Sequence, residues 1–372
     1  MAATPLLPGD AAPYFKVAAS NNPSFAFDTV GGRYIVLSFF GSAGTAPGRE
    51  MVAGFMRHSD QFNDEIACFF GVSADPLDRE QARVEQRVPG CRFFWDFERQ
   101  VAQLYGALDA KGAVVPQTVV IDPMMRILGI LRVDEPARHV ERVMTLLRVQ
   151  KSPGEFLGMP SIAPVLVVPR IFEPDFCRSL VGLYEQGGGL ESGFMRDVGG
   201  KTVGLVDYGH KRRHDHVIED ERTRQACMAR IQRRLVPEIK RAFQFEVTRM
   251  ERYIVACYDA SIGGYFRPHR DNTTHGTAHR RFAVTLNLNA EDYEGGELRF
   301  PEFGPRRYRA PTGGAVVFSC ALLHEATPVT RGKRYAFLPF LYDEAAARMR
   351  EANNANLGDG VMSYRANEEI PD

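Results

Sequence analysis

The apolar residues of this chain follow two different patterns, one in each half. In the first half, three short apolar runs, YIVLSFF, IACFFGV and QTVVID, are bounded by turn residues and separated by helical stretches. Short runs of this kind are typical of buried strands. From residue 250 onward, Gly, Asp and Pro separate still shorter runs, which favours a sandwich or a barrel. The two halves therefore predict two different folds.

A chain of 372 residues is long enough for two domains with separate cores. The Pro-Gly turn in the segment KSPG ends a helix and marks the boundary. We expect a first domain over residues 1–150, a linker over residues 151–163 and a second domain over residues 164–372. Alternating strands and helices predict an α/β layer with parallel pairing in the first domain. The second is predicted to be α+β with a jelly-roll core.

Composition excludes several classes of protein. Basic and acidic residues number 46 each, so no net charge draws the chain to nucleic acid or to an anionic membrane. The N-terminal segment does not resemble a secretory signal, and no run of about 20 apolar residues could span a bilayer. The six cysteines are far apart and form no CxxC pair. We expect a reduced, cytoplasmic protein with buried cysteines.

The sequence predicts four helices, two from apolar residues on a helical period, one from a charged, surface-facing stretch and one from an early proline. They are expected at residues 50–62, 76–88, 174–186 and 219–242. The last of these is the longest, and its predicted role is structural.

An imidazole and a carboxylate stand two residues apart at His269 and Asp271, in the segment YFRPHRDN. In an extended chain, residues i and i+2 point to the same face, so one metal ion can receive both. Two histidines and one carboxylate suit non-haem Fe(II) and leave coordination positions open. His324, just after the predicted strand AVVFS, is the best candidate for the third ligand, because a barrel brings distant strands together.

Arg334 begins the next predicted strand, after the turn VTRGK. A buried guanidinium binds a carboxylate through two parallel hydrogen bonds, and 2-oxoglutarate presents a carboxylate at its distal end. Its keto-acid end would chelate the metal and leave one position for O2. Together these residues predict a site for Fe(II), 2-oxoglutarate and O2.

The first half contains, in order, PGDAAPYF, GGRYIVLSFFG, GVSADP, FFWDFERQVAQLYGA and VVPQTVVIDP. Over about residues 5–150 this order resembles the thioredoxin-fold peroxiredoxins of the alkyl hydroperoxide reductase type. Such a peroxidase needs a thiolate at the start of the helix after the first long strand, but the segment GSAGTAPGRE has no cysteine. Gln117 stands where the family usually places an arginine. We expect a redox-inactive scaffold for dimerisation or substrate docking, with redox work by Cys68 or Cys91 as the alternative.

The second half resembles the prolyl 4-hydroxylase type of 2-oxoglutarate oxygenase over about residues 164–345. The resemblance rests on ACYDASIGGYFRPHRDN, RRFAVTLNLNAEDYEGGELRFPEFG and APTGGAVVFSCALLHEATPVTRGKRYAF. It implies that His269, Asp271 and His324 bind the iron. It also implies a salt bridge between Arg334 and 2-oxoglutarate. Tyr258 matches a family tyrosine near the co-substrate. Asn287 stands where some relatives have a second tyrosine that contacts 2-oxoglutarate.

The resemblance implies a dioxygenase that hydroxylates an amino-acid or peptidyl C–H bond, a prolyl residue being the family's best-known target. Succinate and CO2 are the expected co-products. Fe(II), 2-oxoglutarate and O2 are the expected cofactors, and ascorbate is a further candidate. The expected partners are a small-molecule or peptidyl substrate and a second copy, bound through the thioredoxin-like domain.

Three other interpretations stay open at this point. The segment KRRHDH contains an alternative HxH pair, but no histidine and arginine follow it in register, so we interpret it as a surface or substrate-facing loop. His275 and His279 are interpreted as solvated loop residues. The alternative function is a binding or sensing module with a structural metal and a thioredoxin-like half that recruits partners.

Overall fold

The computed structural model describes residues 5–155 and 161–366. Contacts divide these residues into two units, which lie within Met1–Ile162 with Pro301–Pro305 and within Ala163–Phe300 with Arg306–Asp372. None of the helices in the described residues has the length and apolar character needed to cross a bilayer.

The first unit is a sheet flanked by helices. Its strands are β1 (Lys16–Ala19), β2 (Asn22–Ala26), β3 (Tyr34–Gly41), β4 (Ala67–Ser73), β5 (Cys91–Trp95), β6 (Gln117–Ile121) and β7 (Ile127–Arg132). Its helices are α1 (Ala46–Arg57), α2 (Pro76–Glu80), α3 (Gln100–Leu104) and α4 (Pro136–Arg148). In the described part of this unit the strands form one sheet in the order β2-β1-β5-β4-β3-β6-β7. Only β3, β4 and β5 pair in parallel, so the predicted parallel layer is a mixed sheet.

The central strand β3 is buried on both of its faces. Leu37 and Phe39 pack into the core on one side of the sheet. Val36 packs on the other side, against Phe55 of α1 and Val143 of α4. Because both faces of the strand are covered, its sequence is apolar almost without interruption.

Helix α1 begins at Ala46, earlier than predicted, because Thr45 caps it. The Thr45 hydroxyl accepts a hydrogen bond from the backbone N–H of Gly48 at 3.2 Å. A Cβ atom at Gly48 would lie 1.9 Å from the carbonyl oxygen of Ser42. The start of this helix therefore has neither a cysteine nor space for a side chain at Gly48.

The cysteines of the first unit are buried in strands. Cys68 lies in β4, and Cys91 begins β5. Burial raises the pKa of Cys68 to about 12 and the pKa of Cys91 to about 11. The thiolate is the nucleophilic form of cysteine, so these neutral thiols are poor nucleophiles. Gln117 is also buried, and its side-chain amide donates to the carbonyl oxygen of Tyr105 at 3.0 Å.

Within its described residues, the second unit contains two large antiparallel sheets and two short pairs of strands. Its helices are α5 (Pro174–Gly187), α6 (Glu221–Arg234), α7 (Val236–Phe243) and α8 (Glu344–Ala352). Its strands are β8 (Leu166–Val168), β9 (Leu190–Glu191), β10 (Phe194–Val198), β11 (Lys201–Leu205), β12 (Lys211–Arg212), β13 (His214–Val217), β14 (Arg249–Glu251), β15 (Ile254–Asp259), β16 (Tyr265–His269), β17 (Phe282–Asn287), β18 (Glu294–Gly295), β19 (Leu298–Arg299), β20 (Arg307–Tyr308), β21 (Ala315–Ser319), β22 (His324–Ala326), β23 (Val329–Arg331), β24 (Lys333–Phe337) and β25 (Phe340–Tyr342).

The larger sheet has the order β14-β25-β17-β24-β15-β13-β9, with β21 beside β17 and β8 beside β21. The smaller sheet has the order β12-β16-β22-β19-β20. Strands β10 and β11 form a separate hairpin, and β18 pairs with β23. Two antiparallel sheets in one unit agree with the predicted jelly-roll core.

Strand β15 shows how the larger sheet divides its two faces. Val255 and Cys257 belong to the core that also contains residues of helices α5, α6 and α7. Ile254, Ala256 and Tyr258 alternate with them and belong to a different cluster, on the other face. Side chains on this second face are available for a site.

Two further predicted helices were also wrong in their extent. The helix predicted at residues 219–242 is two helices, α6 and α7, which meet at Leu235. Pro237 occupies the first turn of α7, where its missing N–H is tolerated, whereas inside a continuous helix it would clash with the preceding turn. The helix predicted at residues 76–88 ends after Glu80, because the backbone at Ala82 turns into the left-handed region with φ of 48°.

His279 is buried and is not a solvated loop residue as we predicted. Its Nε2 lies 3.1 Å from Oε2 of Glu251, which is also buried. The same carboxylate accepts from Arg280 at 2.7 Å and pairs with Arg350 at 2.9 Å. The role of His279 is therefore to complete a buried ionic cluster.

We predict that the cysteines of the native protein resist thiol reagents. All six are buried, and burial raises the pKa of each thiol. A chromogenic disulfide reagent at slightly alkaline pH should react slowly with the native chain and fully after unfolding in guanidinium chloride. Rapid labelling of Cys68 or Cys91 in the native chain, together with hydroperoxide consumption, would restore the redox interpretation.

Candidate functional site

Three side chains of the smaller sheet converge at one point. His269 ends β16 and His324 begins β22, and the two are direct partners in the antiparallel pair. Their ring centroids lie 4.3 Å apart. Asp271 follows two residues after His269, and its backbone N–H donates to the carbonyl oxygen of Cys320 at 2.9 Å. The pairing of β16 with β22 thus brings together residues that are far apart in sequence.

The ligand atoms of these side chains face one another. Nε2 of His269 lies 3.5 Å from Oδ1 of Asp271, and Nε2 of His324 lies 3.3 Å from Oδ2. One ligand atom from each residue lies within 4.8 Å of the other two. In residues 5–155 and 161–366, no second group of three His, Cys, Asp or Glu side chains meets this condition.

The tautomer of each histidine is set by a backbone carbonyl group. Nδ1 of His269 donates to the carbonyl oxygen of Arg267 at 2.8 Å, and Nδ1 of His324 donates to that of Leu322 at 3.0 Å. A carbonyl oxygen only accepts, so the ring proton lies on Nδ1 and the lone pair on Nε2. Two lone pairs and a carboxylate that face each other repel, and a cation between them removes the repulsion. This donor set fits Fe(II) and leaves coordination positions open.

The ionisation states also suit metal ligation. Burial, reinforced by the nearby His324, lowers the pKa of His269 to about 4. Burial alone would raise the pKa of Asp271, but the imidazoles of His324 and His269 hold it well below its usual range. At neutral pH His269 is neutral and Asp271 is charged, which are the forms that bind metal ions.

Aromatic rings fix the two imidazoles, and the sequence did not reveal them. Phe266 stacks on His269 with ring centroids 3.5 Å apart. Phe318 meets His324 edge to face at 4.6 Å. Phe318 lies in the predicted strand AVVFS and Phe266 in the segment YFRPHRDN, but the sequence does not show which imidazole each ring contacts.

Arg334 in β24 and Tyr258 in β15 lie on the larger sheet, where they are direct partners in the pairing of these two strands. The guanidinium carbon of Arg334 lies 4.8 Å from the ring centroid of Tyr258. Arg334 is only 2% exposed, and its Nε and Nη1 have no hydrogen-bond partner within the described residues. Unsatisfied donors on a buried cation cost free energy unless an anion pairs with them. The guanidinium therefore fits a carboxylate.

Two further residues shape the surroundings of Arg334. Gly296 has φ of 69°, and a Cβ atom there would lie 2.9 Å from Cδ of Arg334, so a glycine leaves room for the guanidinium stem. The hydroxyl of Tyr293, which sequence reasoning missed, donates to Oδ1 of Asn287 at 3.4 Å. The asparagine is fixed by its own bond to the carbonyl oxygen of Ala310 at 2.7 Å. Asn287 therefore does not project a free side chain.

The segment KRRHDH forms β12 and β13, and its description as a surface loop was wrong. Lys211 and Arg213 are buried. Nδ1 of His216 hydrogen-bonds to the carbonyl oxygen of Gly188 at 2.8 Å. The alternative HxH pair is therefore not part of the metal-ligand group.

Comparison with known proteins finds a family model that matches part of each half. The model of the AhpC/TSA family matches residues 8–130, and the model of the 2OG-Fe(II) oxygenase superfamily matches residues 253–342. Both matches agree with the predicted thioredoxin-like and jelly-roll folds.

Individual relatives match parts of the chain. A PKHD-type hydroxylase of Pseudomonas fluorescens is 38% identical over 91 residues, which are 22% of this chain and 39% of that protein. A PKHD-type hydroxylase of Synechococcus is 31% identical over 128 residues, which are 30% of this chain and 56% of that protein. The chain thus spans about half the length, or less, of these curated relatives.

Two solved structures are similar at low identity. AhpC of Mycobacterium tuberculosis is 23% identical, with a TM-score of 0.33, over 39% of this chain and 93% of that one. A prolyl hydroxylase of Trichoplax adhaerens is 18% identical, with a TM-score of 0.37, over 50% of this chain and 86% of that one.

We predict one site for a divalent metal ion in the second unit. In a titration with Mn(II) followed by electron paramagnetic resonance, His269→Ala and His324→Ala should each weaken binding by at least about 100-fold, because each removes a ligand. His216→Ala, in the alternative HxH pair, is the matched control and should bind like the unmodified chain. Normal binding by His324→Ala would show that His324 is not a ligand.

Proposed function

We propose that this chain, which carries an AhpC/TSA domain followed by a 2OG-Fe(II) oxygenase domain, is an Fe(II)- and 2-oxoglutarate-dependent hydroxylase. The observation that carries the proposal is the combination of two sites in one unit. Three ligand atoms that suit Fe(II) lie within 4.8 Å of one another, and Arg334 holds unpaired donors in a buried position. An iron site alone would not require a buried arginine with unpaired donors.

His269, Asp271 and His324 would hold the iron. Fe(II) bound there with 2-oxoglutarate and O2 supplies an oxidative decarboxylation, in which one oxygen atom enters succinate and the other enters a C–H bond of the substrate, with release of CO2. Ascorbate, as a reductant that keeps the iron ferrous, is part of the proposal.

The protein's own contribution is binding and orientation. Arg334 would bind the distal carboxylate of 2-oxoglutarate through two parallel hydrogen bonds, which fixes the direction of the co-substrate. Tyr258 lines the same pocket beside the guanidinium. Because Arg334 and Tyr258 are both buried, the pocket limits the access of water to the reacting groups.

The proposed substrate is an amino-acid or peptidyl C–H bond, with a prolyl residue as the first example to test. Substrate choice would depend on residues 187–217 and 272–279. The first of these segments reaches the metal ligands, because the ring of His210 lies 6.4 Å from the ring of His269. The two segments also contact each other, since the backbone N–H of Gly276 donates to the hydroxyl of Thr202 at 2.8 Å.

The first domain, which we place at residues 1–150, is proposed to be a redox-inactive scaffold that docks the substrate or a second copy of the chain. The start of α1, which lacks a thiol, and the buried neutral thiols of Cys68 and Cys91 support this proposal. We place the linker at residues 151–163 and the oxygenase domain at residues 164–372. The six free cysteines are consistent with a cytoplasmic location, which we also propose.

We predict that Arg334→Gln separates co-substrate binding from metal binding. Loss of a bidentate, charge-assisted pair should weaken 2-oxoglutarate binding by about 100-fold, while Mn(II) affinity stays unchanged. The anaerobic visible charge-transfer band of the Fe(II) complex, titrated with 2-oxoglutarate, measures the first quantity. Arg331→Gln, three residues earlier in the chain and paired with Glu294 at the surface, is the control.

Formation of succinate with a panel of candidate amino acids and peptides, read by mass spectrometry for the gain of one oxygen atom, tests the hydroxylase itself. A charge-transfer band without succinate formation on any substrate would favour the binding or sensing module. Equal 2-oxoglutarate affinities for Arg334→Gln and the unmodified chain would contradict the proposed pocket.

A further inference from the structure

Arg213, Tyr258 and Arg334 lie side by side across three neighbouring strands. In the pairing of β13 with β15, His214 is the partner of Cys257, so the same register places Arg213 opposite Tyr258. In the pairing of β15 with β24, Tyr258 is the partner of Arg334. The phenol therefore has one arginine on each side.

The contacts agree with this register. Nη1 of Arg213 donates to the hydroxyl of Tyr258 at 3.3 Å, and its guanidinium carbon lies 5.7 Å from the ring centroid. The guanidinium carbon of Arg334 lies 4.8 Å from the same centroid. Arg213 is 4% exposed, so this contact is shielded from water.

Arg213 is held in place by Asp215. Its Nε donates to Oδ1 of the carboxylate at 2.7 Å, and its Nη2 donates to Oδ2 at 2.6 Å. This two-pronged geometry fixes the plane of the guanidinium. Nη2 also donates to the hydroxyl of Ser192 at 3.0 Å, and Arg252 adds a second cation 3.3 Å from Oδ2 of the carboxylate. Nη1 is therefore the nitrogen directed at Tyr258.

The direction of the Tyr258 hydroxyl follows from the chemistry of its partner. A guanidinium can only donate, so the hydroxyl oxygen accepts and its own proton remains available. Within the described part of the chain, that hydroxyl donates to no acceptor. Arg334, on the other side of the ring, has unpaired donors of its own. The Tyr258 hydroxyl and the Arg334 guanidinium can therefore both donate hydrogen bonds to one anion.

We propose that Arg213 is a positioning residue, which directs the Tyr258 hydroxyl as a hydrogen-bond donor toward the carboxylate bound by Arg334. This inference rests on the proposed function, because that carboxylate is the distal end of 2-oxoglutarate. It assigns a role to the segment KRRHDH, in which Arg213, and neither of the two histidines, contacts the co-substrate tyrosine. A purely structural Arg213, which only neutralises Asp215, would leave the Tyr258 hydroxyl to act independently.

A double-mutant cycle separates these two roles. The dissociation constant of 2-oxoglutarate is measured by calorimetry under anaerobic conditions on the full chain loaded with Fe(II), for the unmodified protein, Arg213→Gln, Tyr258→Phe and the double variant. We expect each single variant to weaken binding by about tenfold, because one charge-assisted hydrogen bond is lost. The double variant should also lose about tenfold, because both changes remove the same interaction. Metal affinity should stay unchanged in all three variants.

Arg212→Gln is the matched control. Arg212 is the neighbour of Arg213, is exposed, and bonds to the carbonyl oxygen of Ile262 at 3.0 Å, away from Tyr258. Its 2-oxoglutarate affinity should equal that of the unmodified chain.

Two results would overturn the inference. One is an unchanged affinity for 2-oxoglutarate in Arg213→Gln, and the other is a double variant weakened by about 100-fold, the product of two independent effects.

If Arg213→Gln does not fold, Arg213→Lys replaces it. A lysine keeps the charge beside Asp215 but cannot bond both carboxylate oxygens and reach Tyr258, so the same tenfold loss is expected, and normal affinity would overturn the inference. An unmodified chain that binds metal but no 2-oxoglutarate would overturn the proposed function, and this inference with it.

Discussion

The candidate site of the second unit depends on one carboxylate that faces two imidazoles. Asp271 lies 3.5 Å from Nε2 of His269 and 3.3 Å from Nε2 of His324, and backbone carbonyls fix the protons of both rings on the opposite nitrogen. Two lone pairs and a carboxylate in so small a space repel one another, and a cation between them removes the repulsion. The strands set this arrangement, because β16 and β22 pair in the register that places His269 opposite His324.

Much of this site could be predicted from the sequence, because its residues follow the period of a strand. His269 and Asp271 stand two apart in an extended segment, and Arg334 opens a strand after a recognisable turn. What could not be predicted depends on the partners of each strand. Arg213 lies in a polar segment without apolar periodicity, and only the register of β13 with β15 places it beside Tyr258. The burial of His279 could not be predicted either, because its partner Glu251 lies in a strand that is distant in sequence.

The prediction of secondary structure failed where local chemistry interrupts a longer pattern. The apolar period of residues 219–242 continues through Leu235, but Pro237 starts a new helix there. In the first unit the pattern of a buried parallel strand correctly identified β3, yet periodicity could not show that its other neighbour, β6, runs antiparallel. Fold class is set by patterns that extend over many residues, whereas element ends and pairing directions are set by a few.

The first unit has no thiol at the position where its resemblance to the peroxiredoxins would require one. At the start of α1, the carbonyl oxygen of Ser42 fills the position of a Cβ atom on Gly48. The two cysteines of the first unit, Cys68 and Cys91, are buried in strands, and burial raises the pKa of both thiols. The chemistry that we propose for the chain therefore lies in the second unit. The most direct test is the anomalous diffraction of iron in a crystal grown anaerobically with Fe(II) and 2-oxoglutarate. Our account predicts one iron peak within bonding distance of His269, Asp271 and His324, with the distal carboxylate on Arg334. An iron peak elsewhere, or a His324 side chain outside the coordination sphere, would contradict it.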